Sequence, residues 1–166
     1  NCAATAAGIL RGEYPTCDLH VVDSRVNTVL QGELVREAIR LRDEGCTLAE
    51  TVKRLEAAIA TGRIIFTIGS MDYLKMGGRI GKVASVVSGA LGIKPLIVLK
   101  EGEIFPAGIF RSREKGKTRL IELTRRHMET CGDDPRDYRY VVGYGYDIEE
   151  AKVFRDKMLA MLKELC

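Results

Sequence analysis

Two β-rich segments on either side of a tight turn constrain the fold of this 166-residue chain most strongly. Residues 93–99 and 104–110 are rich in Ile, Leu, Val and Phe, and Lys100-Glu101-Gly102-Glu103 separates them. A glycine in so short a turn is typical of a β-hairpin, in which consecutive strands pair antiparallel. Pro106 and Gly108 lie inside the second segment, so we predict an edge strand or a bulge there.

The elements that follow the hairpin complete a second lobe. Helical periodicity predicts helices over residues 114–128 and 149–165, and a β-rich run predicts a strand over residues 138–142. A hairpin followed by helix, strand and helix is typical of an α+β arrangement with a mostly antiparallel sheet. We therefore assign residues 71–166 to a C-terminal α+β lobe.

The first part of the chain alternates strands with helices. The predicted elements are a helix over 2–11, a strand over 19–23, helices over 32–44 and 47–59, and a strand over 63–69. Thr47 and Glu50 have the spacing of a capping box at the start of the third helix. Strand, helices and strand in this order are typical of a parallel crossover, so residues 1–70 are predicted to form part of an α/β lobe.

A glycine-rich corner, Lys75-Met76-Gly77-Gly78-Arg79-Ile80-Gly81-Lys82, joins the two halves. Paired glycines let a ligand approach the backbone closely, and an apolar helix is predicted to follow over residues 83–91. Arg79 adds a permanently charged planar group that suits a carboxylate or phosphate. A simple turn with solvated basic side chains explains the same residues equally well.

Composition excludes several functions. A net charge of +3 is too small to favour nucleic acid, and no apolar run reaches the roughly 20 residues of a membrane span. The five cysteines are scattered without C-x-x-C spacing, so we expect neither disulfides nor a metal site, and a reducing cytoplasm fits best. The corner lacks the glycine and hydroxyl positions of a nucleotide-binding P-loop, and no catalytic set or cofactor is predicted.

Six segments, in order along the chain, resemble the DegV family of bacterial fatty-acid-binding proteins. They are Asp23-Ser24-Arg25, Gln31-Gly32, Tyr73-Leu74-Lys75-Met76-Gly77-Gly78-Arg79-Ile80, Leu91-Gly92-Ile93-Lys94-Pro95, Glu101-Gly102-Glu103 and Arg111-Ser112-Arg113-Glu114-Lys115. The resemblance implies two lobes with a long-chain fatty acid between them. It also implies that the protein presents the acyl carboxylate to a separate ATP-using fatty acid kinase and is not itself an enzyme.

The resemblance also implies a set of site residues. The implied ligand-binding residues are Gly77, Gly78, Arg79, Ile80, Ile93, Lys94, Pro95 and Tyr144, and the carboxylate is expected near Arg79. The implied docking residues for the kinase are Arg111 and Arg113.

Three departures from the family pattern lead to further expectations. An N-terminal family segment with a Ser-Gly-Thr turn has no counterpart here, so we expect the chain to come from a larger protein and to self-associate through uncovered apolar surface. Tyr144 stands near where many members carry a histidine, and we expect it to donate a hydrogen bond instead. Leu30 stands where glycine is usual.

Two other classes of function stay open from the sequence. An enzyme acting on a phosphorylated or carboxylated small molecule would use the same Gly-Gly-Arg corner, and a bound nucleotide or a metal requirement would favour it. A structural or regulatory domain would bind neither nucleotide nor acyl chain. The sequence does not give acyl chain length, saturation or oligomeric state.

Overall fold

A computed structural model describes residues 2–78, 80–83 and 92–165 of the chain. The chain divides into two compact units, Asn1–Gly62 and Arg63–Cys166. The boundary expected after residue 70 therefore lies within the second unit. The difference arises because the strand that begins at Ile64 pairs with a strand from later in the chain.

The first unit contains three helices among its described residues: α1 (Cys2–Glu13), α2 (Thr28–Asp43) and α3 (Leu48–Thr61). Helices α2 and α3 are in contact, and each buries a leucine, Leu41 in α2 and Leu55 in α3. The predicted capping box is confirmed, because the Thr47 hydroxyl accepts from the Glu50 backbone N–H and the Glu50 carboxylate accepts from that of Thr47.

The strand predicted over residues 19–23 is wrong. This segment has no regular secondary structure, although Leu19, Val21 and Val22 are half-buried. A strand needs a backbone partner, and no strand lies in the described part of the first unit to supply one. The segment instead enters a turn in which the Asp23 carboxylate accepts a hydrogen bond from the Arg25 backbone N–H at 3.2 Å.

The sheet lies in the second unit and consists, within the described residues, of β1 (Ile64–Thr67), β2 (Lys94–Lys100) and β3 (Glu103–Phe110). The strand order is β1-β2-β3, and both pairings are antiparallel. The mixed α/β class with an antiparallel sheet is thus confirmed. The parallel crossover predicted for residues 1–70 is wrong, because β1 pairs with β2 of the hairpin rather than with an earlier strand.

The predicted hairpin is confirmed together with its irregularity. Lys100 pairs with Glu103, and the two residues between them, Glu101 and Gly102, have φ angles of 55° and 81°. Positive φ at both central positions is the geometry of a type I′ turn, whose twist matches that of the strands. The register shifts between Leu96 and Ile97, which places a bulge opposite them in β3, a strand at the edge of the described sheet.

Two long helices complete the second unit. The bounds of the remaining elements are α4 (Asp72–Met76), a 3-10 turn (Gly81–Val83), α5 (Arg113–Cys131), a second 3-10 turn (Pro135–Asp137) and α6 (Ile148–Leu165). Helix α5 contacts β1, β3 and α6. The buried side chains of this unit include those of Val83, Leu96, Ile97, Phe110, Met128, Met158 and Met161.

Two further predictions concern residues 83–91 and 138–142. All of the apolar helix predicted over 83–91 except Val83 lies outside the described residues. The strand predicted over 138–142 is wrong, because this segment is irregular and does not belong to the described sheet. The Tyr140 side chain anchors it locally, since its hydroxyl donates to the Pro135 carbonyl at 3.0 Å. No helix among the described residues is long and apolar enough to cross a membrane.

Candidate functional site

A cleft of about 650 Å³ opens between the sheet, α5 and α6 of the second unit. Its volume lies within the usual range for a small-molecule site. Apolar side chains from β1, β3, α5, α6 and the segments next to them line it, including Phe66, Ile68, Phe110, Leu120, Val142 and Phe154. The walls therefore favour a ligand with a substantial apolar part.

Charged side chains also border the cleft, where the first turns of α5 and α6 meet. The Arg113 guanidinium donates to both carboxylate oxygens of Glu150, with an Nε–Oε1 distance of 2.5 Å. The Lys117 ammonium lies 3.3 Å from the same carboxylate. Two cations thus share Glu150, and Lys94 from β2 adds a third cation to the lining.

Local helix chemistry explains why these groups meet. The Ser112 hydroxyl accepts from the Lys115 backbone N–H and caps α5, which makes Arg113 the first residue of that helix. The Asp147 carboxylate accepts from the Glu150 backbone N–H at 2.9 Å, so Glu150 lies in the first turn of α6. A cation is unfavourable at a helix N-terminus and an anion is favourable, so Glu150 offsets the cost of placing Arg113 there.

The ion pairs shift the pKa values of their members. Hydrogen bonding from Arg113 lowers the pKa of Glu150 to about 2, and the same contact raises the pKa of Arg113. Hydrogen bonds to Glu114, and then to Glu150, raise the pKa of Lys117. All these groups are therefore charged at neutral pH, and the cationic character of the cleft does not depend on small pH changes.

Three of the sequence-predicted residues meet at the cleft. Lys94 begins β2, Tyr144 lies in the segment before α6, and both line the cleft with Arg113. Tyr144 is 55% exposed. The guanidinium of Arg113 is paired with Glu150, and the contact of Arg113 with a kinase stays a prediction.

The glycine corner directly follows the short helix α4. Gly77 and Gly78 end this helix, since their backbone N–H groups donate to the carbonyls of Tyr73 and Lys75. Gly78 has a φ of 66°, a conformation that favours glycine. Arg79 lies outside the described residues.

The other predicted site residues are not among the described residues that line the cleft. Ile80 and Ile93 are half-buried, Pro95 is fully buried, and Arg111 is exposed. The Pro95 carbonyl accepts a hydrogen bond from the Thr67 hydroxyl at 3.0 Å, so Pro95 helps to hold β1 against β2.

Sequence reasoning missed Glu150, Lys117 and the phenylalanines that line the cleft, Phe66, Phe110 and Phe154. Lys117 follows Arg113 by four residues, so helical spacing alone indicated that the two share a face. Glu150 is 37 residues from Arg113, and no local signal predicts that contact. In the described part of the chain, no group of His, Cys, Asp and Glu side chains is arranged to hold a metal ion.

The sheet, the two long helices and the cleft between them define a mixed α/β domain with an apolar, ligand-sized site. The chain belongs to the DegV family, because the family model described as "Uncharacterised protein, DegV family" matches residues 2–165.

Three comparisons show how this chain relates to known proteins. It is 28% identical over 159 residues to a DegV domain-containing protein of Streptococcus pyogenes, covering 95% of this chain and 53% of that protein. It is 38% identical in sequence to a stearic-acid-binding protein from Eubacterium ventriosum whose crystal structure is known. The two structures match with a TM-score of 0.86, over 97% of this chain and 54% of that one. It is 22% identical in sequence to the Streptococcus pneumoniae fatty acid kinase B3 protein loaded with linoleic acid, with a TM-score of 0.65 over 80% of this chain and 46% of that one.

The last of these likenesses shows the fold alone. The chain spans about half the length of the curated relatives it matches, 53% in the case of the Streptococcus pyogenes protein.

Proposed function

We propose that this protein binds a long-chain fatty acid and that the cleft of the second unit receives the acyl chain. The observation that carries the proposal is the apolar lining of the cleft beside a charged cluster in which three basic residues outnumber two carboxylates. The stearic acid bound by the 38% identical relative supports the same ligand class.

Burial of the acyl chain supplies the binding energy. Each methylene removed from water contributes about 0.8 kcal/mol, so a long chain gains on the order of 10 kcal/mol before the costs of association. Rings such as Phe66 and Phe154 offer no hydrogen-bonding groups, so they select for length and shape rather than for polar substituents. A long acyl chain therefore fits the lining better than a small polar metabolite.

The carboxylate requires charge and hydrogen bonds. Lys94 lines the cleft and carries an ammonium group, and Tyr144, an exposed lining residue, has a hydroxyl that is able to donate a hydrogen bond. Arg79 is proposed to provide the strongest contact, because a guanidinium binds a carboxylate through two parallel hydrogen bonds. The expectation that the ligand lies between two lobes stays a prediction.

We further propose that a separate fatty acid kinase acts on the bound acid and that this chain does no chemistry itself. Arg111 is exposed and the side chain of Arg113 is 56% exposed, so both stay available for such a partner, although Arg113 is also paired with Glu150. We also expect the chain to self-associate, since α1 exposes the side chains of Ile9 and Leu10.

A cleft-filling substitution tests the proposal. Ala151 lines the cleft from α6, whereas Val153 on the same helix is exposed and outside the lining. Ala151→Trp should weaken binding of a fluorescent fatty acid at least about tenfold, since an indole occupies the space of two or more methylenes. Val153→Trp should leave the affinity unchanged. Equal affinities for the two variants, with native circular dichroism, would overturn the proposed site.

A further inference from the structure

Gly116 in α5 lies unusually close to the ring of Phe110. A Cβ atom placed on Gly116 would be 2.5 Å from Phe110 Cε2, 2.7 Å from Cζ and 2.8 Å from Cδ2. Real Cβ contacts essentially never fall below 3.0 Å. Glycine is otherwise disfavoured inside a helix, so its value at this position is the room it leaves for the ring.

The position of the Phe110 ring affects the shape of the cleft. Phe110 is the last residue of β3, it pairs with Lys94 in the sheet, and only 7% of its surface is exposed. Phe110 lines the cleft, as do Arg113, Lys117 and Leu120, which lie within about one helical turn of Gly116 in α5. Pairing with β2 fixes the backbone of Phe110, so a methyl group on residue 116 has to displace the Phe110 ring. The cleft is the open space next to this ring.

We infer that the Gly116–Phe110 contact sets the length of acyl chain that the cleft accepts, an inference that rests on the proposed fatty-acid function. With glycine at position 116 the ring packs closely against α5 and leaves the cleft open. With a larger residue the ring enters the cleft and shortens it. Gly116 therefore acts as a positioning residue through Phe110, without touching the ligand itself.

The experiment compares ligands of different length in the full chain. Lauric, myristic, palmitic and stearic acids would each displace a bound fluorescent fatty acid from wild type and from Gly116→Ala. The variant should bind stearic acid about tenfold more weakly, the loss expected when two methylenes leave the cleft, and lauric acid should be affected less than about twofold.

A matched control separates this effect from helix propensity. Gly32 lies inside α2, and a Cβ placed there meets nothing within 4 Å. Gly32→Ala makes the same chemical change in a helix without a neighbouring ring, so it should leave the order of affinities unchanged. The double variant Gly116→Ala/Phe110→Leu should regain stearic acid binding, because the smaller side chain relieves the collision.

The outcomes are distinct. An unchanged length preference in a folded Gly116→Ala protein, an equal loss for lauric and stearic acids, or no rescue by Phe110→Leu would each overturn the inference while leaving fatty acid binding intact. Failure of every acid to displace the probe from wild type would instead overturn the proposed function, and the inference would fall with it.

Discussion

The guanidinium of Arg113 and the carboxylate of Glu150 form a two-point ion pair although they are 37 residues apart in the sequence. The pair links the first turn of α5 to the first turn of α6 beside the apolar cleft. Because Arg113 is half exposed, water screens the interaction, and we expect it to contribute about 1 kcal/mol rather than several.

The first prediction concerns the pH dependence of this pair. The pKa of Glu150 in the folded protein, about 2, lies below its ordinary value of 4.5, so its charge stabilises the fold above that ordinary value. The contribution should be lost as pH falls from about 4.5 towards 2. Glu150→Gln should therefore lower the free energy of urea unfolding by about 1 kcal/mol at neutral pH and flatten its acid dependence.

Glu129→Gln is the control for this prediction. Glu129 is an exposed carboxylate further along α5, and its removal should leave the pH profile as in wild type. Parallel profiles for wild type and Glu150→Gln would contradict a stabilising role for the pair.

The second prediction concerns the hairpin turn. Glu101 adopts a positive φ that disfavours most residues, whereas asparagine tolerates it. Glu101→Asn should raise the free energy of unfolding by about 0.5–1 kcal/mol, and Gly102→Ala should lower it by about 1 kcal/mol. Urea unfolding measures both. A shift of the same sign in the two variants would be inconsistent with the type I′ turn.

The third prediction concerns Arg79. If its guanidinium binds the acyl carboxylate, Arg79→Ala should weaken fatty acid binding by about 1.5–3 kcal/mol, the range for a hydrogen bond to a charged group. Arg79→Lys should restore only part of the affinity, because lysine lacks the planar pair of donors. Titration with a fluorescent fatty acid measures both. Lys75→Ala removes an exposed charge from α4 and serves as the control. Equal fatty acid affinities of Arg79→Ala and Lys75→Ala would exclude a role of Arg79 in binding the carboxylate.

The fourth prediction concerns the kinase. Supplied with ATP, magnesium and a fatty acid, the protein alone should form no acyl phosphate, because its sequence has no recognisable nucleotide-binding loop. With a fatty acid kinase added, Arg111→Glu should slow phosphorylation without changing acid affinity. Lys53→Glu, an exposed charge reversal in α3, serves as the control. Turnover by the protein alone would favour an enzyme acting at the Gly-Gly-Arg corner.

Local features of the fold were predictable, whereas strand pairing was not. The hairpin follows from two β-rich runs and Glu101-Gly102, and the start of α3 follows from Thr47 and Glu50, all of which act over a few residues. Residues 19–23 and 138–142 have strand-like composition but no partner strand among the described residues. Partner choice depends on distant parts of the chain, which composition does not encode.

The candidate site shows the same division. Lys94 and Tyr144 were identified through family resemblance, and both line the cleft. The partnership of Arg113 with Glu150 and the contact of Gly116 with Phe110 depend on how α5 packs against α6 and β3, so no sequence spacing reveals them.

Mass spectrometry of a denaturing organic extract of the purified protein tests the central claim most directly. The account predicts a long-chain fatty acid in near-stoichiometric amount from wild type and from Val153→Trp, and a strongly reduced amount from Ala151→Trp. A wild-type extract without any fatty acid, or one that yields a nucleotide or sugar phosphate instead, would contradict the account.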